Sequence, residues 1–146
     1  MAEQKVEFEL VSPEKLLLSQ AVDMVVVPGG DGDFGVLPRH APVLTTLGFG
    51  ELVVRKGNAE ERFAIYGGVV DVRPGKVVLL ADMAASAYTL DVQAAEEARE
   101  RARKMLAEGL PEDKRREAAL QLRRAELSLA VGRKVKQSST VMRIIE

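Results

Sequence analysis

Near Tyr88 the chain changes period, and that change decides which folds are open to it. Ten of the 12 glycines and five of the 6 prolines lie before Tyr88. In that first part Val6, Phe8 and Leu10 alternate with Glu7, Glu9 and Val11, the period-2 pattern of a half-buried strand. Further short runs follow at Leu16–Leu18, Met24–Val27, Val43–Leu47, Glu51–Arg55, Arg62–Tyr66, Val69–Arg73 and Lys76–Leu80. The breaks between them carry turn residues: Ser12-Pro13, Pro28-Gly29-Gly30, Pro38, Pro42, Gly48, Gly57-Asn58, Gly67-Gly68 and Pro74-Gly75. Short strands at such spacing predict an antiparallel sandwich or barrel, with Pro74-Gly75 its clearest hairpin. The expected organisation is a β-domain over residues 1–87 and a helical one over residues 88–146.

From Thr89 the apolar spacing is helical. Thr89 or Asp91 can cap a first helix, with Glu96 and Glu97 placed to meet its positive end. Ala95, Ala98, Ala102 and Met105 form one stripe, and Gly109-Leu110-Pro111 reads as a C′ glycine, an apolar residue and a stop. Glu112 and Asp113 open a second helix striped by Ala118, Leu122, Ala125 and Leu129, with Gly132 read as its end. The short connection predicts an antiparallel hairpin with an alanine-dominated seam. A buried alanine methyl contributes roughly 0.8 kcal/mol, against roughly 1.5–3 kcal/mol for a leucine. Two readings stay open on periodicity alone: a hairpin that separates cheaply while its helices persist, or a permanent cap on the β-domain.

Composition excludes several classes of function. With 21 basic and 22 acidic residues the net charge is −1, so bulk electrostatics predict neither nucleic-acid nor membrane-surface binding. Cysteine is absent and His40 is the single histidine, which leaves few ligands for a transition metal. Aromatic residues make up 4% with no tryptophan, a poor supply of stacking surfaces for bases or sugars. The charge is unevenly spread, at −4 over residues 1–90, −3 over 91–113 and +6 over 114–146. Lys114, Arg115, Arg116, Arg123 and Arg124 are either a solvated face or a dock for an acidic partner. The start of the chain, Met1 to Leu10, shows neither a basic leader nor an apolar run, and no stretch approaches a bilayer span. A soluble chain made without export is expected. Val141, Ile144 and Ile145, within the otherwise unassigned Ser138–Glu146, suggest that this stretch packs on something.

No catalytic constellation emerges. The loop Gly29-Gly30-Asp31-Gly32-Asp33-Phe34-Gly35 lacks the Gly-Lys-Ser/Thr of a phosphate loop. As a calcium loop it would place Gly35 at a ligand position and Pro42 where the bidentate glutamate belongs. A tight turn at a strand end is the better reading. His40 has neither a nucleophile elbow nor a second histidine to work with, and reads as structural. The pairs Glu60-Glu61 and Glu96-Glu97 read as exposed, so they support no acid–base dyad.

The strings Asp33-Phe34-Gly35-Val36-Leu37-Pro38-Arg39-His40-Ala41-Pro42-Val43-Leu44-Thr45, Tyr66-Gly67-Gly68-Val69-Val70-Asp71-Val72 and Val77-Val78-Leu79-Leu80-Ala81-Asp82 resemble, in this order, the epsilon subunit of the bacterial F-type ATP synthase. The resemblance spans essentially the whole chain. Mitochondrial delta subunits look similar in the sandwich, but the missing transit peptide favours a bacterial or plastid chain. The resemblance implies an all-β sandwich of about ten strands followed by an antiparallel helical hairpin. It implies a non-catalytic rotor subunit of the central stalk that binds the gamma subunit and rests on the membrane ring of c subunits. The chain would couple proton translocation to ATP synthesis without entering the membrane, and would bind no nucleic acid. Its expected place is peripheral, on the cytoplasmic face of the bacterial plasma membrane. Asp31, Asp33, Phe34 and His40 match the segment that meets the c-ring. The hairpin, when extended, would inhibit ATP hydrolysis by reaching the alpha and beta subunits, with Lys114, Arg115, Arg116, Arg123 and Arg124 against beta.

Some such subunits bind ATP through Ile/Leu-Asp-x-x-Arg-Ala. The matching string is Leu90-Asp91-Val92-Gln93-Ala94-Ala95, with Ala94 in place of the arginine and Ala85 in place of an upstream acid. Arg101 matches a helix arginine of that site, and Arg123 or Arg124 another. Loss of a planar cation suited to phosphate predicts weak ATP binding or none, and no other cofactor or metal is expected. The alternative is a nucleotide-responsive module that binds ATP through the hairpin.

Overall fold

The structure, a computed structural model, describes residues 4–137 and 142–145. Among these residues are nine strands and two helices in two compact units. One unit holds the strands, up to Ser86, together with residues 142–145; the other begins at Ala87 and holds both helices. The expected boundary after residue 87 thus falls one residue earlier. Residues 142–145, part of the stretch left unassigned and read as packing on something, fold onto the strands. Of the runs read earlier, Met1–Glu3, Ser138–Val141 and Glu146 lie outside the described residues.

The strands are β1 Val6–Val11, β2 Leu16–Val22, β3 Met24–Gly29, β4 Gly32–Val36, β5 Val43–Lys56, β6 Ala59–Arg73, β7 Lys76–Ala81, β8 Ala84–Ser86 and β9 Met142–Arg143. Hydrogen bonding runs β2-β1-β7-β6-β5-β3-β4, with β8 and β9 both pairing with β6. All pairs are antiparallel except β1–β7 and β6–β9. β5 and β6 are long enough to serve two layers. Residues 43–47 pair with 68–72 beside β7, and residues 49–56 pair with 59–66 beside β3 and β8. Val6, Phe8, Leu10, Val70, Val72, Val77 and Leu79 from one layer meet Val25, Val27, Leu52, Val54, Phe63 and Ile65 from the other in a single core. The alternation read at Val6, Phe8 and Leu10 holds, since all three are fully buried.

Two expected breaks are not breaks. Gly48 and Gly67-Gly68 lie inside β5 and β6, where they fold the sheet over without ending its ladder. Gly67 and Gly68 have φ of 88° and 135°, and a Cβ on Gly68 would stand 2.2 Å from the Leu80 carbonyl oxygen. Only glycine permits that backbone and that approach. The exposed reading of Glu60-Glu61 is corrected as well. Glu61 has no exposed surface, because alternation along β6 points it inward with Phe63 and Ile65.

In the second unit α1 spans Val92–Ala107 and α2 spans Glu112–Gln137. Gly109, at φ 69°, follows the C-cap Glu108 as expected. Ala102, Ala118, Ala125 and Leu129 are buried and Ala95, Ala98, Met105 and Leu122 half-buried, so both stripes face inward. Gly132 does not end α2. It is buried mid-helix, where a Cβ would lie 3.0 Å from Val92 Cγ2 and 3.5 Å from Leu90 Cβ, so its bareness admits the start of α1.

Candidate functional site

The β3–β4 hairpin positions the first candidate surface. Gly29 pairs with Gly32 around the turn, and the Gly30 N–H donates to the Thr46 carbonyl at 2.9 Å. The glycine run is therefore a tight turn between strands. A second turn, Leu37 to His40, is closed by the His40 N–H on the Leu37 carbonyl, with Arg39 at φ 69°. Together they shape an open cavity of ≈ 330 Å³ lined by Asp31, Gly32, Phe34, His40, Val43 and Thr45. The Phe34 and His40 rings sit 6.3 Å apart, tilted by 38°. His40 Nδ1 lies 2.7 Å from the Ala41 carbonyl oxygen, which can only accept, so Nδ1 is the donor. Three of the four residues predicted here thus converge. Asp33 does not join them: it is exposed, pairs with Pro28, and alternates to the face of β4 opposite Phe34. A carboxylate, a ring edge and an imidazole on an open rim are equipment for recognition.

A second surface lies on the outer face of the other layer and escaped the sequence reading. Register places Leu16, Val11, Leu80, Val69 and Thr46 in one row across five strands, with Leu44 two residues along β5. Leu16, Leu80 and Val69 are 54%, 53% and 39% exposed, and Leu44 is 72% exposed. The signal was present in the outward positions of β5, β6 and β7, where alternation calls for polar residues and finds apolar ones.

In the helical unit, Asp91 caps α1, its Oδ1 accepting from the Ala94 N–H at 3.0 Å. Leu90 and Ala95 are half-buried and Arg101 is exposed. The first turn of α1 holds no acidic residue. Glu96 lies one turn further on and pairs with Arg133 of α2 instead of meeting the helix dipole. Lys114, Arg115, Arg116, Arg123 and Arg124 are all exposed. Arg116 engages Glu112 at 3.1 Å, and with Leu110, Arg115 and Ala119 both line an open cavity of ≈ 410 Å³ at the hairpin turn.

Comparison with known proteins agrees with this geometry. Residues 5–87 match the family described as ATP synthase, Delta/Epsilon chain, beta-sandwich domain. An ATP synthase epsilon chain of Syntrophobacter fumaroxidans is 48% identical over 132 residues, covering 89% of this chain and 98% of the relative. That of Rhodospirillum rubrum is 43% identical over 125 residues, covering 85% and 93%. Among solved structures, a chain of the Euglena gracilis mitochondrial ATP synthase (OSCP/F1/c-ring) superposes with a TM-score of 0.70 at 21% identity, covering 93% of this chain and 82% of that one. A chain of the Tetrahymena thermophila mitochondrial ATP synthase central stalk and c-ring superposes with a TM-score of 0.61 at 16% identity, covering 90% and 99%. Sandwich, hairpin and relatives of nearly equal length agree: the chain belongs to the ATP synthase epsilon chains.

Proposed function

We propose that this epsilon chain is a non-catalytic rotor subunit that joins the gamma subunit to the c-ring and so helps couple proton flow to ATP synthesis. The observation that carries the reading is the exposed apolar row of Leu16, Leu80 and Val69, with Leu44 beside it, on a sandwich whose core is otherwise closed. Such a strip is suited to a permanent protein partner, here gamma. The cavity rim at Asp31, Phe34 and His40, polar and shallow, suits the polar loops of the ring. The place of action is peripheral, at the cytoplasmic face of the plasma membrane; no described helix is long and apolar enough to cross a membrane.

The helical unit is read as a regulatory arm that restrains ATP hydrolysis when its exposed cations meet the catalytic beta subunit. ATP itself binds weakly or not at all, since Asp91 already caps α1 and Ala94 stands where the family motif has arginine. Co-purification with gamma, and ATPase assay of the assembled enzyme before and after truncation at Tyr88, test both halves. A stable gamma complex and a rise in hydrolysis on truncation are expected. Failure to bind gamma overturns the rotor reading, and unchanged hydrolysis overturns the regulatory one.

A further inference from the structure

Glu61 is a charged side chain with no exposed surface, and four hydrogen bonds reach it from three consecutive residues more than 80 positions away. Arg143 donates to Oε1 from Nη2 at 2.7 Å and from Nε at 3.2 Å. The backbone N–H groups of Ile144 and Ile145 each donate to Oε2 at 2.9 Å. Met142 and Arg143 extend this contact as a two-residue strand alongside Ala59 and Glu60, and Ile144 and Ile145 pack against the sandwich core. A buried carboxylate that has lost its partners is strongly unfavourable, and charge-assisted bonds of this kind are the stronger class. The ladder beside it is only two residues long, so the carboxylate is the main hold.

We infer that the β6 edge at residues 59–61 is a docking site for the chain's own segment 142–145, and that this contact is a latch on the helical arm. The chain leaves the sandwich after Ser86 in β8, which pairs with Phe63–Ile65 of β6, and is back on that same strand at Met142. The helical unit is therefore a loop secured at both ends to one strand. Carrying α2 farther than its chain connection to Met142 allows requires residues 143–145 to let go of Glu61. The regulatory consequence rests on the arm reading proposed above, whereas the latch does not.

Amide hydrogen exchange on the full chain tests the latch. In the wild type the Ile144 and Ile145 amides should exchange at least tenfold more slowly than in a free peptide of the same sequence. Glu61→Gln, and separately Arg143→Ala, should each accelerate both amides at least tenfold and leave those of β1 and β7 unchanged. Arg143→Ala lies outside the sandwich core, so it remains informative if Glu61→Gln fails to fold. Free-peptide exchange in the wild type, or no acceleration in Arg143→Ala, overturns the latch. In the assembled enzyme, Arg143→Ala should lower ATP hydrolysis at least twofold by freeing the arm to extend. Unchanged hydrolysis with accelerated exchange would leave a latch without regulatory effect and overturn that consequence alone.

Discussion

Gly68 marks how much of the fold depends on single backbone positions. Its φ of 135°, and the 2.2 Å that would separate a Cβ from the Leu80 carbonyl oxygen, leave no room for a side chain where β6 turns from one layer into the other. Gly68→Ala should therefore cost at least about 1–3 kcal/mol, read as a lower urea midpoint. Asp23 is a second such position. The Gly57 N–H at 2.5 Å, and then the Lys5 ammonium, hold its carboxyl below the ordinary 3.8, against an opposing contribution from burial. A carboxyl depressed in the folded state stabilises above its unfolded pKa, and that stability is lost as pH falls through the folded value. The urea midpoint of Asp23→Asn should lie below the wild type's at pH 6, and the gap should close as the pH is taken below about 4. The side chain is 35% exposed, so the gap should be small and should shrink further in salt.

The elements show which features could be read directly from the chain. Those set by neighbours in sequence were legible: the alternation of β1, the Pro74-Gly75 hairpin, the Asp91 cap, the Gly109 stop and both alanine stripes. Those set by a distant partner were not. Gly48, Gly68 and Gly132 carry the local signature of a break, but each is bare because another strand or helix comes close, and only the fold says so. Glu61 looked exposed beside Glu60 until its inward face and its distant arginine were both known. Asp33 and Phe34, placed together by the resemblance, lie on opposite faces of β4, as alternation along a strand requires. In the hairpin three of the buried seam residues are alanines, Ala102, Ala118 and Ala125 beside Leu129, and each methyl is worth only roughly 0.8 kcal/mol, so the cap is a sizeable share of local stability. Asp91→Ala should weaken the hairpin by about 1 kcal/mol, seen as roughly fivefold faster amide exchange along α1 while sandwich amides are unchanged.

For the whole molecule, the question is why a sandwich with a closed core leaves a row of leucine and valine in water. A polar row would serve solubility better, so the arrangement makes sense when another protein covers it. Leu44 and Leu80 are 72% and 53% exposed, and replacing them removes little that folding uses. Leu44→Asp and Leu80→Asp should accordingly leave the thermal midpoint within a few degrees of wild type. Each should weaken binding to the gamma subunit by about 2 kcal/mol, roughly thirtyfold, because a carboxylate would have to be desolvated at the centre of the contact. Apolar docking also has a calorimetric signature: a negative heat-capacity change and little dependence on salt. A docking surface on the polar cavity rim instead would spare both variants and respond to His40→Ala and to ionic strength. Titrating wild type and all three variants into gamma at two salt concentrations separates the two surfaces. Unaltered affinity in Leu44→Asp and Leu80→Asp would remove the apolar row from the rotor assignment.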